Sequence, residues 1–324
     1  MKTGLLIAGL GGAVLAGLTG ELYRHVFCRE GSPLLSPLMN GKSHKEDYYA
    51  HRDGDAEKLR RLPQQRFELR SGRGALLRGF YFPGGGEGRR IAFLVHGYRS
   101  EHAETAGMYY DYYRTRGFDL FCCDHEAHGE SEGRFIGFAA FEDGDCLRWI
   151  DFLRSHFGED VQIVLHGFSM GACTVLKMAD RCPPNVKCIV EDSGFRDARD
   201  QLLGMLGPFY YPLRLLHRLI ARVDLRQADA RPALEKARTP ILFVHGLEDP
   251  MVPFRNAPAL YESCAGEKDC LFVPGARHVE SMHVAPEAYA EKLDAIIKKT
   301  VNSERIRYRL RRSIQIHPAE GVIQ

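Results

Sequence analysis

VQIVLHGFSMGACT, residues 161–174, decides the reading of the whole chain. A short apolar run ends at a serine held between two glycines, Gly167-Phe168-Ser169-Met170-Gly171, and a helical pattern follows. Strand, sharp turn, helix is the order of a nucleophile elbow, in which a strained turn exposes a serine hydroxyl at the end of a buried strand. The helix expected from Met170 points its partial positive end at the same place, which favours developing negative charge. A serine hydroxyl is a weak nucleophile at its free pKa, so it needs a base, and the base needs an acid to orient it.

Outward from this stretch, short apolar runs alternate with helical patterns. RRIAFLVHG (89–97), FDLFCCD (118–124), VKCIVEDSG (186–194), TPILFVHG (239–246) and DCLFVPG (269–275) read as strands. Continuous apolar runs of this kind fit strands buried on both faces. Between them, residues 104–117, 141–158, 170–182, 256–264 and 286–301 carry helical patterns. Residues 66–85 hold two period-2 runs around Ser71-Gly72, a hairpin signature. This alternation predicts an α/β fold, a mostly parallel sheet covered by helices on both faces. Residues 195–238 interrupt it with a helical segment, apolar and aromatic at Phe209, Tyr210, Tyr211, Leu213, Leu215 and Leu216. An excursion of this length beyond the carboxyl edge of a sheet reads as a cap over a pocket, and the same residues also suit a helix pair packed on the core.

The downstream strand ends supply the missing partners. VHGLEDPMVP places Asp249 in a loop after one strand, and FVPGARHVES places His278 after the next. Parallel strands bring all three loops to one edge of the sheet, and the order serine, acid, histidine is that of a nucleophile-elbow hydrolase. Glu248 is the rival acid and His283 the rival base. The oxyanion of a tetrahedral intermediate needs donors, for which the backbone amides of Met170 and Tyr98 are the natural pair. His125 and His128 lie three apart without the spacing of a zincin helix, so a braced loop is preferred to a metal site.

HGYRS, DHEAHGESEG, GFSMG, HGLEDPMVP and PGARH occur here in the order of the α/β-hydrolase superfamily. The chain most resembles membrane-anchored bacterial members related to the serine aminopeptidase and Bem46-like groups, over about residues 67–300. The resemblance implies a central sheet of about eight strands, an acyl-enzyme mechanism and no cofactor. Relatives often read D-x-R-G-H-G-x-S where this chain has Asp124-His125-Glu126-Ala127-His128-Gly129-Glu130-Ser131.

Composition bounds the remaining possibilities. At 324 residues the chain can bury a full core, and a formal charge of +2 gives no field that would favour nucleic acid. Nine cysteines without CxxC spacing suggest buried thiols in a reducing compartment. Residues 1–27 contain an uncharged run, Gly4 to Gly20, which reads as an uncleaved membrane anchor, with a signal peptide or an amphipathic segment as the alternatives. Flanking basic residues lean toward a cytoplasmic main domain. Residues 28–66 read as a polar linker. The tail 301–324 interleaves Arg305, Arg307, Arg309, Arg311 and Arg312 with apolar residues, as a solvated tail or a patch for anionic lipid.

The expected function is therefore hydrolysis of a carboxylic ester, an apolar acyl ester or lipid, by Ser169, His278 and Asp249. The apolar cap beside an anchor motivates the choice of substrate. Amide hydrolysis by a serine peptidase is the alternative within the class. A non-catalytic binding protein of the same fold is the alternative outside it.

Overall fold

A computed structural model describes residues 16–35, 46–85 and 89–301. Eight strands form one sheet: β1 Gln65–Arg70, β2 Leu76–Phe82, β3 Arg90–Val95, β4 Asp119–Asp124, β5 Gln162–Phe168, β6 Val186–Asp192, β7 Ile241–Gly246 and β8 Lys268–Val273. Their order is β1-β2-β4-β3-β5-β6-β7-β8. The pairs β1–β2 and β2–β4 are antiparallel, and every other pair is parallel. The hairpin read from Ser71-Gly72 is present, with Arg70 opposite Leu76.

β3 to β7 are buried almost throughout, so both sheet faces carry core. One face packs Phe93, Phe121, Ile163 and Leu165 against Trp149, Ile150 and Leu153 of the helix Glu142–Phe157. The other packs Leu94, Leu120, Val164 and Val190 against the helices His102–Arg114 and Pro286–Thr300 through Tyr109, Tyr113, Tyr289 and Leu293. Two buried faces explain why these strands read as continuous apolar runs rather than alternating ones.

Three expectations need correction or restriction. Residues 28–66 are more than a linker: Glu46–Arg60 is a helix that packs on His102–Arg114 and buries Tyr48, Ala56 and Leu59. The two helices come so close that a Cβ on Gly107 would lie 2.7 Å from the Asp55 carbonyl. Charged residues surround those few buried positions, so the amphipathic signal of the segment is weak.

The apolar middle of the cap does not line the cleft. Tyr210 and Leu213 of the helix Tyr210–Ile220 face the core, while Tyr211 and Leu215 face outward. Only Phe195, Gln201 and Met205 of the segment 195–238 reach the cleft.

Residues 1–15 and 302–324 lie outside the described residues, and with them most of the Gly4–Gly20 run and the basic tail. Residues 16–27 are helical and packed on the domain through Tyr23, Val26 and Phe27. Among the described residues, no helix is long and apolar enough to cross a membrane.

Candidate functional site

β5 ends at Phe168 and the next helix begins at Met170, so the reversal falls on Ser169 alone, at φ 54° and ψ −115°. That left-handed backbone is costly for a residue with a Cβ. The flanking glycines serve a different need, which is space. A Cβ on Gly167 would lie 2.4 Å from the Gly171 carbonyl oxygen, and one on Gly171 would lie 2.1 Å from that of Val95. The elbow thus combines one strained serine with two close backbone approaches.

The loops after β7 and β8 deliver Asp249 and His278 to the same edge. His278 Nε2 lies 2.9 Å from Ser169 Oγ, and His278 Nδ1 lies 2.7 Å from Asp249 Oδ2. Ionised, the carboxylate only accepts, so Nδ1 carries the proton and Nε2 is left to accept from the serine. Asp249 Oδ1 accepts the amides of Met251 and Val252, each at 2.8 Å, and the buried carboxylate is thereby fixed in orientation. The site leaves out Glu248, which is exposed, and His283, which packs edge-on against Tyr48 at the surface.

A second network braces the histidine from behind. Val279 N donates to Ser193 Oγ at 3.1 Å, and Ser193 Oγ donates to Asp192 Oδ1 at 2.8 Å. Tyr289 donates to Asp192 Oδ2 at 2.9 Å. Burial raises the Asp192 carboxyl to about 6, against which the bonds from Ser193 and Tyr289 act. Like Ser169, both Ser193 (φ 60°) and Val279 (φ 58°) sit in the left-handed region. Such strain in a β-branched residue beside the histidine fits the clustering of strain at functional sites.

Opposite the serine, the turn after β3 holds Tyr98. Its hydroxyl donates to the Val26 carbonyl at 2.8 Å, which ties the turn to the helical residues 16–27. Arg99 adds bonds to the carbonyls of His25, Cys28 and Arg29, a cation placed at a helix C-terminus. His96 Nε2 accepts the His125 amide at 3.0 Å, and His96 Nδ1 donates to the Gly97 carbonyl at 2.8 Å. Burial lowers its pKa, in keeping with this neutral tautomer. In the same loop Glu126 Oε1 lies 3.5 Å from Arg73 Nε. The expected oxyanion donors, the amides of Tyr98 and Met170, belong to residues that flank the serine in one cleft.

That cleft has a volume of about 970 Å³, counting its open mouth. Tyr98, Phe138, Phe195, Met205, Met251 and Val252 supply an apolar side. Tyr49, Arg52, Ser100, Glu104 and Thr105 supply a polar one. Glu104 accepts from Ser100 at 2.8 Å and pairs with Arg52 at 3.6 Å. Tyr48, Tyr49 and Arg52 escaped the sequence reading because their helix lay inside the segment taken as linker. The pattern that could have found them is Tyr48, Ala56 and Leu59, apolar positions spaced along one side of a helix. The rings of His125 and His128, in the loop after β4, have centroids 6.2 Å apart. Among the described residues, the one cluster with metal-ligating spacing is Glu101, His102 and Asp124. Asp124 there already binds the amides of His102 and Glu130.

Comparisons with known proteins agree with this architecture. A family profile described as "Serine aminopeptidase, S33" matches residues 86–225. An uncharacterized protein of Bacillus subtilis, YqkD, is 25% identical over 174 residues, covering 51% of this chain and 57% of that protein. An uncharacterized membrane protein of Saccharomyces cerevisiae is 25% identical over 162 residues, covering 50% of this chain and 54% of its own. The chain therefore spans little more than half the length of these two relatives. Alpha/beta hydrolase domain-containing protein 17C of Xenopus laevis is 26% identical over 276 residues, covering 82% of this chain and 77% of that one. Among solved structures, an esterase of Pyrococcus furiosus superposes with a TM-score of 0.61 at 19% identity, covering 76% of this chain and 94% of its own. At that identity the likeness is one of fold.

Proposed function

From its membership of the α/β-hydrolase superfamily, to which this chain belongs, we propose that it is a serine hydrolase acting on carboxylic esters with an apolar acyl group. The observation that carries the reading is His278 bridging Ser169 Oγ at 2.9 Å and Asp249 Oδ2 at 2.7 Å. Ser169 attacks the ester carbonyl while His278 Nε2 takes its proton, and Asp249 stabilises the imidazolium that forms. The amides of Tyr98 and Met170 receive the oxyanion. His278 then returns the proton to the departing alkoxide, leaving an acyl-enzyme. Water, activated by the same histidine, releases the acid and restores Ser169.

The cleft itself supports the acyl preference, since the cap's apolar middle lies elsewhere. Phe138, Phe195, Met205, Met251 and Val252 form an apolar wall beside the serine. An aminopeptidase, the second reading, follows from the description of the matching family. It would need a carboxylate to receive a free α-ammonium. Glu104 is the acidic group in the cleft lining, and Arg52 and Ser100 already engage it, which favours the ester. Membrane association through the Gly4–Gly20 run is part of the proposal. It is supported by the absence of charge in that run, and a yeast relative carries the description of a membrane protein.

The test is labelling by a fluorophosphonate, followed by turnover of p-nitrophenyl esters of graded chain length against aminoacyl nitroanilides. Labelling lost in Ser169→Ala and His278→Ala, with ester turnover rising with chain length, is the expected result. Faster cleavage of the nitroanilides would establish the peptidase reading, and an unlabelled folded wild type would remove the hydrolase mechanism.

A further inference from the structure

The helix Tyr210–Ile220 carries apolar residues both where it is buried and where it is exposed. Its inner side is accounted for: Tyr210, Leu213 and His217 are buried, and Leu216 packs on the core. Its outer side carries Tyr211, Leu215 and Leu219 at successive intervals of four, which places them in one row. They are 56%, 56% and 68% exposed, in a domain whose apolar side chains are otherwise mostly covered. Arg214 and Arg218 flank the row at the neighbouring helical positions, and Arg222 follows just past the helix end. An apolar row bordered by arginines has the composition of a helix that lies in a membrane interface, with aromatic and leucine side chains below the headgroups and basic ones among them.

The residues that follow the uncharged run meet this same helix, on its buried side. Residues 16–27 pack on the same cap helix, where Tyr23 Oη lies 3.2 Å from His217 Nδ1 and Phe27 stacks on the His217 ring at 4.3 Å. Leu18, near the start of those residues, is 47% exposed. The uncharged run Gly4–Gly20 therefore joins the domain beside the cap helix.

We propose that the helix Tyr210–Ile220 is a second membrane contact, which lies in the bilayer interface with Tyr211, Leu215 and Leu219 inserted and its arginines set against anionic headgroups. The inference rests on the reading of the run as membrane-associated and extends it to the orientation of the domain. Met205, which is 45% exposed and also lines the cleft, sits on the preceding cap helix. Docking through the cap thus places one wall of the cleft near the lipid, the source of an apolar acyl substrate.

The chain has one tryptophan, Trp149, and it is fully buried. An added surface tryptophan can therefore be read against a background that lipid does not reach. The full chain carrying Leu219→Trp is reconstituted with phosphatidylcholine–phosphatidylglycerol vesicles, with and without bromine on the acyl chains. Glu159→Trp, in the exposed loop before β5 at the opposite edge of the sheet, is the control. Vesicle flotation reports membrane association by itself. The expected result is flotation of both variants, with the indole emission added at position 219 falling to about half or less in brominated vesicles and that at 159 unchanged, as an interfacial helix buried several ångströms deep requires. Flotation without quenching at 219 would overturn the cap contact while leaving the anchor. Equal quenching at both positions, or indole emission at position 219 that is already blue-shifted without vesicles, would also overturn it, the latter by showing that protein covers the row. Failure to float would overturn both readings.

Discussion

Replacing Gly171 by alanine tests whether backbone proximity holds the two proposed oxyanion donors in register. The added Cβ would stand 2.1 Å from the Val95 carbonyl oxygen and 2.6 Å from that of His96. Val95 ends β3 and His96 follows it, on the way to Tyr98. Non-bonded carbon and oxygen rarely approach closer than about 3.3 Å, so the two segments must part by roughly 1 Å. Overpacking of this kind costs about 1–3 kcal/mol. The catalytic effect should be larger, because the separation carries the Met170 amide away from that of Tyr98. Losing one oxyanion donor lowers kcat by about 10²–10³-fold, and a 1 Å misplacement alone by about 10²-fold. The assay is kcat and KM on a p-nitrophenyl ester, with thermal unfolding on the same samples. Gly144→Ala is the matched control: nothing lies within 4 Å of its Cβ, and alanine within a helix should stabilise by about 0.5–1 kcal/mol. A folded Gly171→Ala enzyme with kcat within a few-fold of wild type would refute the reasoning.

Three other outcomes follow from the same geometry. Ser169→Gly should abolish fluorophosphonate labelling and raise the melting temperature, since glycine relieves the strain of φ 54°, about 1–3 kcal/mol, in a thermal shift measurement. Asp249→Asn should keep the fold yet lower kcat by about 10³–10⁴-fold, because the amide no longer specifies the tautomer in which Nδ1 donates; a ten-fold loss would mean another group orients His278. Burial raises the Glu191 carboxyl to about 8, so its folded form holds a proton more tightly than the unfolded chain. Its contribution to stability is therefore full at acid pH and lost as pH rises from about 4.5 to 8, on the order of 4 kcal/mol. Glu191→Gln should lessen the fall in denaturant-measured stability across that range, leaving the part due to other raised carboxyls such as Asp192, while Glu191 Oε2, which accepts the Gly194 amide at 3.0 Å, is replaced by an amide oxygen. Wild-type stability that rises across the range would contradict the assignment.

The sequence by itself determined the sheet and the meeting of distant loops. Strands buried on both faces must be apolar at every position, so β3 to β7 were legible as runs, and parallel strands must deliver their following loops to one edge. Ser169, Asp249 and His278 could therefore be named from their positions after strands. Tertiary structure decided what pattern does not encode. The polar helix Glu46–Arg60 forms a wall of the cleft because a few buried side chains and a close approach at Gly107 hold it there, contacts too sparse to dominate its periodicity. The cap's apolar residues divide between the core and the outer surface rather than facing the cleft, since an apolar residue in a helix states that it avoids water, not which neighbour it meets. Strain behaves in the same way: Ser193 and Val279 carry left-handed backbone beside the histidine without any glycine to announce it, because only the surrounding packing holds them there.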